Sequence, residues 1–118
     1  MQKSLLFLAA FLCSSSLALG AHSVTLTCTA SIDSVTGYNF YRGTAAGAEN
    51  FSTPINGSTP ISTCGFIDTN VSAGVTYFYV AQAVVVNGSS TTTSANSNEA
   101  GSGPVPIAPA TNLKAVPQ

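Results

Sequence analysis

Residues 75–86, VTYFYVAQAVVV, are the longest β-branched and aromatic run in the chain, and Asn87-Gly88 follows it directly. Such side chains fit a pleated, half-buried surface. Asn-Gly is a strong hairpin signal, because tight hairpin turns demand positive φ. The chain is therefore committed to an antiparallel pair, with the second strand expected at 91–99, TTTSANSNE. No segment carries a 3.6-residue apolar period, so nothing predicts a helix to cover a sheet.

Shorter strand-like segments surround this run. In SVTLTCTAS, Val24, Leu26, Cys28 and Ala30 alternate with Ser and Thr over residues 23–30, which predicts a half-buried strand with Cys28 on its apolar face. YNFYR, 38–42, alternates Tyr38 and Phe40 against Asn39 and Tyr41. A weak strand is expected around Phe51, with Ile55 packing inward before the NGSTP turn. STCGFID, 62–68, sets Cys64 and Phe66 on one face. Many short strands with regular turns predict a β-sandwich or a barrel, and a sandwich fits a chain of 118 residues better.

The first twenty residues, MQKSLLFLAAFLCSSSLALG, do not continue this pattern. Lys3 precedes an apolar run from Leu5 to Leu12, and Ala18 and Gly20 are small residues at signal-peptidase spacing. This predicts a secretory signal over 1–20, cleaved after Gly20. The apolar run is short of the roughly 18–20 residues that a membrane span needs. A lipid-acceptor role for Cys13 is disfavoured, because Phe11 and Leu12 precede it where small residues are required. No later segment predicts a membrane span.

Cleavage leaves 118 − 20 = 98 residues, with Arg42 and Lys114 against Asp33, Glu49, Asp68 and Glu99, a net charge of 2 − 4 = −2. Two cations make no basic surface for nucleic acid or anionic lipid. A hydrophobic content of 45% can supply a core, which argues against disorder. Cys13 departs with the signal, so Cys28 and Cys64 remain as an even pair in an oxidising compartment. The domain is expected over 21–100, a Gly/Pro linker over 101–109 and a separate tail over 110–118.

The residues for catalysis are scarce. His22, the lone histidine, sits at the expected new N-terminus, where it cannot be oriented as a base. Asp33 and Asp68 lie in turn regions and read as backbone caps. Glu49 and Glu99 show no glycosidase-like spacing, and no metal-ligand cluster is present in the sequence. The expectation is a non-enzyme without a cofactor. Asn50, Asn56, Asn70 and Asn87 each begin an N-x-S/T sequon, which chance explains in a chain so rich in these residues. If Tyr77, Tyr79, Ala81 and Ala83 face inward, then Tyr41, Phe78 and Val80 form an outward apolar stripe. That stripe is a candidate binding face for a protein module or an extracellular polysaccharide. The competing reading is that neighbouring polar side chains cover it.

Taken together, SVTLTCTAS, VTGYNFYRGT, GFIDTNVSAGVTYFYVAQAV and SNEA resemble, in order and spacing, the fibronectin type III family in its bacterial secreted form, over residues 23–100. The resemblance implies an all-β, immunoglobulin-like sandwich of strands B to G. It implies that Val71 and Tyr77 form the corner between strands E and F, with Tyr77 structural. It also implies that strands B and E are sheet neighbours, so Cys28 and Cys64 are placed to form a disulfide, Cys28 standing where the family carries a tryptophan. Two buried free thiols are the alternative. Strand A is missing from the N-terminus, whereas APATNLKAVPQ, 108–118, resembles it, with Leu113 and Ala115 inward. That tail is read first as the start of a next module in a tandem array. The alternatives are that it fills its own vacant position or adds to a neighbouring molecule. The function implied is a secreted spacer or interaction module; a carbohydrate-binding or adhesion module, or a piece of a larger extracellular enzyme, are the alternatives.

Overall fold

The computed structural model describes residues 22–118, so the expected signal segment lies outside the described residues. Six strands follow in order: β1 (Val24–Thr27), β2 (Gly37–Gly43), β3 (Gly65–Asp68), β4 (Thr76–Asn87), β5 (Ser90–Thr93) and β6 (Ala100–Pro104). No helix occurs among the described residues, so none is long and apolar enough to cross a membrane. The strands make two antiparallel sheets in a sandwich-like arrangement: β1 pairs with β3, while β4 pairs with β2, β5 and β6.

The apolar run organises the larger sheet. One edge of β4 takes β2, from Gly37↔Val84 to Gly43↔Phe78. The other edge takes β5 at one end and β6 at the other. The hairpin pairs Asn87 with Ser90 around Gly88 and Ser89. Gly88 has φ 62°, as the first central residue of a II′-type turn requires. The second strand does not run unbroken over 91–99. It stops at Thr93, and Ser94 and Ser97 then bridge the gap: each amide donates to a β4 carbonyl (Ala83, Ala81) and each hydroxyl accepts from the amide of the same β4 residue.

The segment expected as a linker is partly strand. Ala100–Pro104 pairs with Thr76–Tyr79, and Val105 is buried with its amide donating to Val75 O. AGSGP has no alternation to reveal a strand, but its backbone meets the hydrogen-bonding needs of the β4 edge. The weak strand expected around Phe51 does not form.

Between the sheets, Tyr77, Tyr79 and Val105 form a buried cluster, with Val24, Leu26, Ile55, Val71 and Val75 packed on it. Phe40 of β2 stacks on Phe66 of β3, ring centroids 5.8 Å apart. Gly37 holds the entry to β2 because a Cβ there would sit 2.6 Å from Ile61 O, where the 61 segment bridges to Tyr38.

Candidate functional site

The densest polar constellation lies between the sheets, where β2 supplies Arg42, β3 supplies Asp68 and β4 supplies Tyr77 and Tyr79. Asp68 is 3% exposed. Arg42 Nη1 donates to Asp68 Oδ2 at 2.9 Å and Oδ1 at 3.1 Å, and also to Asn70 O at 2.8 Å. Tyr79 Oη donates to Asp68 Oδ2 at 2.8 Å, and the Asn70 amide donates to Oδ1. The Arg42 guanidinium lies over the Tyr77 ring, 5.2 Å from its centroid. Tyr77 is buried, and its hydroxyl accepts from the Ser72 amide at 2.9 Å. Val71 packs against the cluster that Tyr77 forms with Tyr79 and Val105. Burial, and then the Asp68 hydrogen bond and charge, push the Tyr79 phenol far above its ordinary range.

A buried carboxylate is tolerable only when paired and hydrogen-bonded, and Asp68 has both. Arg42, Tyr79 and the Asn70 amide supply these partners. Sequence reading placed Asp68 in a turn as a backbone cap. The Asn70 contact is such a cap, but the ion pair with Arg42, 26 residues away in sequence, has no local signal.

The expected exposed stripe is covered. Tyr41 and Val80 are direct cross-strand partners on one face, with Phe78 two residues along. However, Tyr41 is only 7% and Val80 6% exposed, and Phe78 is half-buried. Phe51, on the loop where no strand forms, sets its ring 5.0 Å from that of Tyr41. A Cβ on Gly101 would stand 3.2 Å from the Phe78 ring, so the glycine lets β6 close over it. An apolar stripe that a loop and a neighbouring strand can cover is buried rather than offered to a ligand.

Cys28 and Cys64 are disulfide-bonded, Cα atoms 5.2 Å apart. The pair continues the β1–β3 register one step beyond Thr27↔Gly65, and Cys28 N donates to Cys64 O. Cys28 is nonetheless exposed, not a core residue. β1 ends at Thr27, so the bridge lies just beyond the end of that strand. A cavity of about 170 Å³ opens there, lined by Cys28, Cys64, Tyr38, Ala83 and Ser94 among others.

Toward the Gly43 end of β2, Glu49 and Glu99 meet, and the Gly47 amide donates to Glu99 Oε2 at 2.7 Å. The hydrogen bond between the carboxyls raises Glu49 and lowers Glu99. Glu49 Oε2 is buried and finds no donor. A proton on Glu49 lets that group donate to Glu99, so the pair is best satisfied holding one proton. No group of three or more His, Cys, Asp or Glu residues that could hold a metal occurs among the described residues.

The tail residues Leu113 and Ala115 lie in no strand, and Leu113 is 94% exposed. Comparison with protein-family models, curated proteins and solved structures finds no match.

Proposed function

We propose that this chain is a secreted, non-catalytic module of fibronectin type III type, working as a structural spacer or protein-interaction domain. The observation that carries the reading is the Arg42–Asp68–Tyr79 cluster: the Asp68 carboxylate, 3% exposed, is engaged in joining the two sheets. The strand order supports the family assignment, with β1 and β3 as strands B and E, and β2, β4 and the β5–β6 line as strands C, F and G. The Tyr77–Ser72 contact at the turn before β4 is what a tyrosine corner requires. The disulfide fits an oxidising compartment. The carbohydrate-binding alternative loses its platform, because Tyr41 is under Phe51.

Expression of the full precursor tests this. The expected product is an exported chain that begins at Ala21, has no alkylatable thiol and gives a β-sheet circular dichroism spectrum. Retention in the cytosol as the uncleaved chain, with Cys13, Cys28 and Cys64 all free, would refute the secreted-module reading.

A further inference from the structure

In the smaller sheet the outer edge of β1 has no strand partner among the described residues. Among the described residues that sheet holds β1 and β3. Cys28 N donates to Cys64 O, and hydrogen-bonded pairs alternate with non-hydrogen-bonded ones along an antiparallel ladder. Thr25 and Thr27 therefore turn their amides and carbonyls toward the open edge. Beside that edge runs a cleft of about 240 Å³ between β1 and β6, lined by Val24, Thr25, Leu26, Thr27, Tyr79 and Ser102 among others. An open edge next to a cleft is a template for another strand.

The chain also carries a segment suited to it. The tail alternates Leu113 and Ala115 with Lys114, and it leaves Leu113 94% and Val116 74% exposed. Its own domain is poorly placed to receive it. Val105 anchors the exit at the Val75 end of β4, and Pro106 and Pro109 favour an extended course over a tight reversal. An antiparallel strand on β1 would have to begin at the Cys28 end, the far end of the cleft from that exit.

We propose that the tail of one copy, residues 110–118, adds as an antiparallel strand to β1 of a second copy, with Leu113 and Ala115 entering the β1–β6 cleft. Backbone pairing with Thr25 and Thr27 gives affinity, and the two apolar side chains give register. Asn112, now at φ 59°, becomes extended on pairing. Donor and acceptor surfaces differ, so the contact is head-to-tail and propagates into open chains unless a ring closes. The inference deepens the interaction-module reading by naming its partner.

Sedimentation of the mature chain over a hundredfold concentration range tests it. Mass should rise with concentration, and Leu113→Asp, on a residue outside the folded core, should weaken association at least tenfold. A synthetic 108–118 peptide added to the Leu113→Asp chain should shift the Thr25 and Thr27 amide resonances saturably. A monomer throughout the range, association untouched by Leu113→Asp, or a monomer with Thr25 and Thr27 already protected from exchange would each overturn the proposal. The last outcome would mean that the tail fills its own edge. Failure of the module reading is seen separately, as cytosolic retention or free thiols in the precursor experiment.

Discussion

Arg42 on β2 and Asp68 on β3 meet at 2.9 Å between the two sheets, the one salt bridge among the described residues that joins them. The side chains are unequally placed: Asp68 is 4% exposed and Arg42 23%. Removing the acid leaves Arg42 some water, while removing the base leaves a nearly dry carboxylate.

Asp68→Ala should therefore cost about 3 kcal/mol, the lower end of the range for breaking a buried pair, because Arg42 keeps partial hydration. Arg42→Ala should cost more. Urea unfolding of the two variants checks this, and equal effects would contradict the asymmetry.

Tyr79→Phe removes a hydrogen bond to a buried charge and should cost about 2 kcal/mol, whereas Tyr77→Phe removes a neutral bond from the Ser72 amide and should cost about 1 kcal/mol. The two differ only in what the hydroxyl touches, so the ratio is the informative quantity.

Alkaline pH should weaken the fold through Tyr79. Its folded phenol lies above the ordinary value of 10.0, so its contribution is complete below that value. Above it, the unfolded chain loses the proton more readily and stability falls. Tyr79→Phe should flatten this slope between about pH 10 and 11. A slope unchanged in the variant would assign the effect elsewhere.

The Glu49–Glu99 pair gives a second pH dependence. Glu49 is raised in the folded state, so its contribution fades as pH rises through the folded value. Glu99 is lowered, so its contribution fades as pH falls through the folded value. Stability should peak in the window where the pair holds one proton. Glu49→Gln keeps a donor for Glu99 at all pH values, so it should raise the melting temperature at pH 7 and remove the decline on the alkaline side of that peak. Thermal melts from pH 4 to pH 8 read this out.

Tyr41→Ala separates a packing role from a binding role. With Phe51 and Val80 against the ring, truncation should cost about 3 kcal/mol. A variant as stable as the parent would restore Tyr41 as a surface residue.

What the sequence by itself determined follows from local rules. The apolar run at 75–86, Asn87-Gly88 and the alternation in YNFYR set β4, its hairpin and β2, because period and turn chemistry act between near neighbours. The even pair of cysteines pointed to the bridge that forms. The tertiary structure alone decided the rest. β6 forms from AGSGP, a segment with no strand signal, because the free edge of β4 needs backbone partners whatever side chains come with them. Tyr41 is buried because a loop without regular structure lays Phe51 on it. Cys28 is exposed because β1 ends one residue before it. Asp68 turns from a turn cap into half of an ion pair because the sheets bring Arg42 to it across 26 residues. Each of these depends on which surfaces meet, and alternation within one segment carries no record of what will pack against it.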